Sequence, residues 1–535
     1  MPTLVPQQPP PPDYYARNVR FLLDEVERRG GDLLSEAERR FIDAFRAAST
    51  PAQRLFARLL TRRGPWLRID SLHYAEVGDL GRALEELARL GLVEPLAEAP
   101  AAQLLGLLTR AELQACFPAV RASTKPEWIR RCLSRYPDAL IRARLAEHHP
   151  WIGVGARDEF AVCQVLFFAG DGQDLTAFVM QDLGIHTYER YPLDGPSRAF
   201  TSRRELERYL GCRRLTYHAT HLDEVPALAP MIRLALEHGP LCRPEQRARD
   251  RLLNRLGQWH ERRGEVDEAR ACYQRSTSHP ARERLARLLY RQGEHAALDA
   301  LLEEIRRDPW APEEVDFAGR FPGRRRACGP PVTTCTLPAS TPPAIERHAL
   351  NLLTSNGGRG WHLENLLPLG LAGLTFWDEV FAPLPGAFSH PFQPGPHDLF
   401  WPDFARVRRR ALDARVAALG APGALAAHLR TVHRAKFGIT NRLVHWGAFG
   451  NELLDALLAN VPERVLLALA DHTIRNLHRS RNGFPDLLLI YGPGAWEVVE
   501  VKGPTDQLQP AQRVWLGTLE ALSVPARVLR FRAAC

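Results

Sequence analysis

From Tyr14 to Ile305 apolar residues recur mostly at intervals of three and four, the spacing of amphipathic helices, whereas near the C-terminus they form short, nearly unbroken runs. The helical pattern begins with Val19, Leu22, Leu23 and Val26. It resumes at Phe41, Ile42 and Phe45, after Ser35 and Glu38, which are spaced as a capping box. Gln53 to Arg62 continues as a third helix, Leu67–Ile69 reads as a short strand, and Leu80–Leu90 as a helix that Gly91 ends. Two short helices flank a basic turn between residues 101 and 133, and helices dominate from about 137 to 237. Residues 307–343, rich in Pro, Gly and Arg and including Arg324–Arg326, read as a linker. Beyond it, Asn451–Leu458 and Val461–Arg479 are helical. Asp486–Ile490 and Trp496–Lys502 are apolar strands joined by the Gly/Pro turn Tyr491–Gly494. Pro510 takes the first position of a helix carrying Val514, Trp515, Leu519 and Leu522, and Ala526–Arg532 is a last strand.

These patterns divide the chain into a disordered lead (1–13), a helical region (14–135), a second helical region (136–306), the linker (307–343) and an α/β domain (344–535). Helix, strand, helix, strand in the first region is the order of a winged helix, and 101–133 resembles a SAP-type DNA-binding fold. The turn at Arg262–Ala269 is echoed 29 residues later at Arg291–Ala297. Helix pairs at that period resemble tetratricopeptide units. Two such pairs are too few to stand alone and require another surface to pack on.

Charge adds a direction. The 535 residues carry net charge +8, and of the 70 basic residues only Lys125, Lys436 and Lys502 are lysine. An Arg-rich surface suits a polyanion. Arg54, Arg58 and Arg62 share one helix face and are candidates for phosphate contacts; a solvated face is the competing account. The nine cysteines contain no CxxC pair, and Cys328 and Cys335, the closest two, have no flanking histidine cluster, so a zinc site or disulfide framework is not expected. No apolar run reaches transmembrane length and the Pro-rich start has no signal-peptide core, so a soluble intracellular protein is expected.

The candidate chemistry lies on the C-terminal hairpin. Residues two apart on a strand share a face, so Glu500 and Lys502 lie together, and pairing of the strands brings Asp486 beside Glu500. Adjacent carboxylates in an apolar setting repel, and a divalent cation resolves the conflict; oxygen donors favour Mg2+ or Mn2+. A loop cap plus a surface ion pair is the plainer alternative. Two acids rarely complete such a site. Glu364, after the Gly357–Gly358 break, is the best third candidate, with Asp378 and Glu379 as competitors. Arg475, His478, Arg479 and Arg481 precede Asp486 and are candidates for a terminal 5′ phosphate or the phosphate beside a cut, or else form a solvated helix end.

Gly-x-Pro-Asp, a hairpin, Val-Glu-Val-Lys-Gly-Pro, then Gln512 and Trp515 resemble the VRR-NUC module of the PD-(D/E)XK nuclease superfamily. Tyr15–Asn18, the Arg63–Trp66 turn, the SAP-like segment, the helical repeats and Gly360–Glu364 resemble, in the same order, the Fanconi-associated nuclease family. The resemblance implies an α/β PD-(D/E)XK nuclease domain behind mainly α-helical regions. It implies metal held by Glu364, Asp486, Glu500 and the Val501 carbonyl, with Lys502 acting on the attacking water and Gln512 supporting the site. It implies cleavage of 5′ flaps and branched double-stranded DNA, 5′-to-3′ exonuclease activity and a role in interstrand crosslink repair. The Cys/His set of the ubiquitin-binding finger of eukaryotic members is absent here, so a bacterial-type member acting on nucleoid DNA in the cytoplasm is expected. A junction resolvase or restriction-type endonuclease on the same core, and a non-catalytic DNA-binding scaffold, are the alternatives.

Overall fold

The computed structural model describes residues 13–62, 64–94, 99–170, 175, 178, 186–193, 198–323, 331–336, 345–355 and 357–532. The lead before Asp13, Arg63, Arg324–Arg326 and Cys328 lie outside them. The chain forms two compact units. Among the described residues, one takes those from Asp13 to Phe178 with Phe200–Arg203, and the other takes those from His186 to Ala199 and from Arg204 onward. The helical region and the α/β domain read from sequence as 136–306 and 344–535 therefore contribute largely to one unit.

In the first unit, helices Tyr14–Gly30, Glu36–Ala47 and Thr50–Leu60 bury Val19, Leu22, Phe41, Ile42, Phe45, Leu55 and Phe56. The expected capping box is formed: the Ser35 N–H donates to the Glu38 carboxylate at 2.6 Å and the Glu38 N–H to the Ser35 hydroxyl at 3.4 Å. Strand β1 (Trp66–Arg68) and strand β2 (Val93–Glu94) both pair antiparallel with β3 (Trp151–Val154), which lies between them. Nothing in the apolar pattern marks β3. It is four residues long and buried throughout, so it shows no alternation. Gly153 there sits under the Trp66 ring, where a Cβ would approach to 2.5 Å. Helices Ala101–Leu107, Arg110–Cys116, Lys125–Arg135 and Asp138–His148 are inserted before β3 around Leu104, Leu113, Phe117, Trp128 and Ile141.

The second unit begins with the strap His186–Leu193. The Tyr191 hydroxyl donates to the His390 carbonyl at 2.8 Å, and Glu189 accepts from Lys436 at 2.6 Å and from the Trp377 indole at 2.7 Å. The repeat-like stretch forms helix pairs Arg243–Arg262 with Val266–Arg275 and Ala281–Gln292 with His295–Arg307. Their turns use Gly264 and Gly293, both at φ 75°. The stretch read as a linker is partly structured. Pro312–Arg320 is a helix, and its Asp316 receives Arg513 of helix Pro510–Ala521 at 2.6 and 2.7 Å. Strand β4 (Val332–Thr336) then joins the sheet. Its Pro- and Gly-rich flanks hid both elements.

The sheet has order β4-β8-β7-β6-β5, with β5 at Arg359–His362, β6 at Leu487–Gly492, β7 at Ala495–Lys502 and β8 at Ala526–Arg532. β6 is antiparallel to both β5 and β7; β7, β8 and β4 run parallel, and helix Pro510–Ala521 makes the β7-to-β8 crossover. Leu487, Leu489, Val499, Val501, Leu529 and Phe531 pack on one face. Leu488, Ile490, Trp496 and Val498 pack with Trp515 and Leu519 on the other. Cover on both faces explains why these strands read as apolar runs. Among the described residues no helix is long and apolar enough to cross a membrane.

Candidate active site

In the β6–β7 register Leu488 faces Val498 and Leu487 faces Val499. One step further along the same ladder, Asp486 is opposite Glu500, at the end of the sheet where the apolar layers stop. Gly483 lets the chain arrive there. At φ 92° its backbone passes helix Pro510–Ala521 so closely that a Cβ would lie 2.6 Å from the Ala511 carbonyl carbon. The backbone N–H of Val501 donates to Asp486 Oδ2 at 2.7 Å, fixing one carboxylate oxygen.

Glu364 reaches the same place from β5. The N–H groups of Leu363 and Glu364 donate to the Asp486 carbonyl at 2.9 and 3.1 Å, stitching the end of β5 to the start of β6. Glu364 itself is left-handed, at φ 47°. That conformation costs a non-glycine residue about 1–2 kcal/mol, and such positions cluster at functional sites. His362 joins the group. Its Nε2 lies 3.1 Å from Glu364 Oε1, and one ligand-type atom from each of His362, Glu364 and Asp486 falls within 4.8 Å of the others.

Glu500 is 1% exposed and Lys502 7% exposed. Glu500 Oε1 accepts from Lys502 Nζ at 2.8 Å and from Gln512 Nε2 at 2.6 Å. The Gln512 amide oxygen in turn accepts the Gln509 N–H at the start of the crossover helix, so the helix end aims the amide. Glu500 Oε2 is buried with no hydrogen-bond partner among the described residues. Burial first, then repulsion from Asp486, pushes Glu500 up to about 7; burial also raises Asp486, against the Val501 N–H and Lys502. An orphaned buried oxygen beside two further carboxylates fits a divalent cation, because no protein donor compensates it. Glu364, Asp486 and Glu500 are the carboxylates placed to hold one, with His362 within reach of the first two. Asp378 and Glu379, the competing acids, instead pair with Arg415 at 2.8 Å each. His362 carries no signal of its own in the sequence, although it stands two residues before Glu364.

The other candidates separate. Arg475 is bound to Asp471 at 2.6 Å and Asp413 at 2.8 Å. His478, Arg479 and Arg481 line a cavity of 670 Å³ together with Arg243, Arg247 and Trp401. Burial lowers the pKa of both His478 and Arg479. Arg243 and Arg247 reach this cavity from the first repeat helix, far away in sequence, and Arg243 pairs there with Asp403 at 2.7 Å. In the first unit, Arg54 donates to the Glu76 carbonyl at 3.0 Å, and Arg58 pairs with the Glu76 carboxylate at 2.7 Å and stacks on Tyr15 at 3.9 Å. Arg62 donates to the Tyr74 hydroxyl at 3.0 Å and remains exposed. The structure does not leave these three as an open basic row.

Comparison with known proteins adds the following. A family profile described as "FAN1, HTH domain" matches residues 13–94, and one described as "VRR-NUC domain" matches residues 422–533. Nuclease domains of the latter kind depend on a metal. A "Fanconi-associated nuclease 1 homolog" from Pseudomonas aeruginosa is 32% identical over 98% of this chain and 96% of its own length. A homolog of the same name from Arabidopsis thaliana is 26% identical over 99% of this chain and 68% of its own. The crystal structure of paFAN1 bound to a 2-nucleotide 5′-flap DNA with a gap matches with a TM-score of 0.87 at 30% identity, covering 99% of this chain and 100% of that one.

Proposed function

This chain belongs to the Fanconi-associated nuclease family, and we propose that it is a structure-selective DNA nuclease that cuts 5′ flaps and related branched DNA and degrades DNA from a 5′ end, in the repair of interstrand crosslinks. The observation that carries this reading is the buried, unpaired Glu500 Oε2 beside Asp486 and Glu364, in a chain similar throughout its length to a protein crystallised on 5′-flap DNA.

Glu364, Asp486, Glu500 and the Val501 carbonyl would hold Mg2+ or Mn2+. The chemistry such a cation would supply when bound is stabilisation of charge on the attacking and leaving oxygens of an in-line displacement at phosphorus. Lys502 Nζ, fixed by Glu500 Oε1, would orient the attacking water and favour its loss of a proton through its positive charge. Gln512 holds Glu500 in the rotamer that leaves Oε2 free to coordinate. His478, Arg479 and Arg481 receive a DNA phosphate in their cavity. Of the basic row in the first unit, Arg62 keeps an exposed guanidinium for a backbone phosphate. Arg54 and Arg58 serve the fold, and Arg475 holds its helix to Asp413. The working location is the cytoplasm, on nucleoid DNA.

The test is cleavage of a labelled 5′-flap duplex with Mg2+, with Mn2+ and with chelator, beside plain duplex. Metal-dependent cutting near the flap junction is expected. Equal cutting of both substrates, or cutting in chelator, overturns the reading.

A further inference from the structure

We infer that His362 is a ligand of the cation held by Glu364 and Asp486, a nitrogen donor that biases this position toward manganese over magnesium. The inference rests on the metal reading above and adds a side chain to it.

β5 ends at His362, whose register partner on β6 is Leu487, the residue after Asp486. The chain then turns through Leu363 and Glu364, whose N–H groups are both tied to the Asp486 carbonyl. Leu363 is 4% exposed and anchors this turn in the core, while His362 and Glu364 on either side of it are half-exposed and meet outside. Adjacent donors around an octahedral cation sit about 3 Å apart and opposite donors about 4.2 Å, for bonds of about 2.1 Å. The 3.1 Å separation of His362 Nε2 from Glu364 Oε1 matches the adjacent spacing, and the 4.8 Å spread of the three residues closes onto one ion with small side-chain shifts.

A surface ion pair is the plain alternative, and such a pair contributes little by itself. It does not account for a second carboxylate, Asp486, in the same span, nor for the buried orphan oxygen of Glu500 beside them. With a cation present, His362 would donate neutral nitrogen density where three carboxylates already carry the charge. Imidazole is a softer donor than carboxylate; magnesium prefers oxygen and water, whereas manganese accepts the mixed set more readily.

The experiment titrates Mn2+ into the full chain without DNA, measuring affinity by calorimetry and nitrogen coupling to the bound ion by pulsed EPR. The wild type is expected to show imidazole 14N modulation. His362→Gln is expected to lose it, to bind Mn2+ about tenfold more weakly and to bind Mg2+ less than about threefold more weakly. Its melting temperature should match the wild type, since the side chain is half-exposed. Asp486→Asn serves as the control. If wild type binds Mn2+ in a manner Asp486→Asn abolishes but shows no 14N modulation, or if His362→Gln keeps the modulation, His362 is not a ligand although the metal site stands. If wild type and Asp486→Asn bind Mn2+ alike, the metal reading fails, and this inference with it.

Discussion

Two charged clusters stand out in the sequence, and the fold treats them in opposite ways. On helix Thr50–Leu60 and the turn after it, the guanidinium groups of Arg54, Arg58 and Arg62 find Glu76, Tyr15 and Tyr74 within their own unit. At the end of the β6–β7 ladder, Asp486, Glu500 and Glu364 are driven together and one buried oxygen is left without a donor. Both bring like charges close together. The difference is compensation: a charge the fold already satisfies reports on the fold, whereas a buried charge it leaves unsatisfied reports on a ligand.

The strongest way to break that contrast is Asp486→Asn. The substitution keeps an oxygen for the Val501 N–H and removes a charge that repels Glu500 and Glu364. Cleavage of a 5′-flap substrate should fall by about 10³-fold or more, the scale of removing a group acting on transition-state charge. Meanwhile the metal-free protein should melt higher than wild type, because an uncompensated repulsion is gone. Added Mn2+ should raise the melting temperature of wild type and not of the variant. A variant that loses activity and also loses metal-free stability would make Asp486 a structural residue.

How much of this was legible beforehand follows from where each signal sits. Asp486, Glu500 and Lys502 are readable because β6 and β7 are consecutive strands, so strand parity and one turn fix their neighbourhood. Glu364 was reachable only by search and resemblance, since more than a hundred residues separate it from its partners, and its left-handed turn leaves no pattern. β3, β4 and β5 were missed for a common reason: each is at most five residues long and pairs with a strand distant in sequence. Helix Pro312–Arg320 was hidden by a Pro/Gly-rich neighbourhood, although Pro312 occupies the first helical turn, where proline is welcome. The strap His186–Leu193 carries no periodicity at all, because its role is a set of single hydrogen bonds.

A middle-sized test compares the cavity cluster with the helix cluster. Arg481 lies over Phe400 at 5.6 Å with its guanidinium at the cavity, and no acidic partner holds it among the described residues. Arg481→Glu should weaken binding of 5′-phosphorylated ends by about tenfold relative to unphosphorylated ends, in line with reversing one charge at a phosphate contact. Arg58→Ala should act on stability instead. Losing the Glu76 pair and the Tyr15 stack should cost about 1–2 kcal/mol, with the salt dependence of DNA binding unchanged. If Arg58→Ala instead reduces the salt slope by about one and leaves the melting temperature alone, Arg58 is a phosphate contact and satisfied charge ceases to be a guide.

The smallest effect concerns His472, which shares the environment of the site without its conflict. It lies edge-on to Trp515 at 5.6 Å, on the helix that packs behind the catalytic face. Burial lowers its pKa to about 4, with Arg479 adding to the shift and Asp471 opposing it. The same desolvation that raises Asp486 and Glu500 thus leaves His472 neutral, and a neutral imidazole at working pH asks for no counter-ion. In the unfolded chain His472 has an ordinary pKa near 6.5, so between pH 6.5 and 4 the unfolded state binds the extra proton. Its contribution to stability is therefore fully present above about pH 6.5 and is lost as pH falls toward 4. His472→Gln removes the titration, so between these pH values the variant's melting temperature should fall about one to two degrees less than that of wild type. Equal slopes would mean that His472 is solvated in the native protein, and the desolvation invoked for the neighbouring carboxylates would lose its independent support.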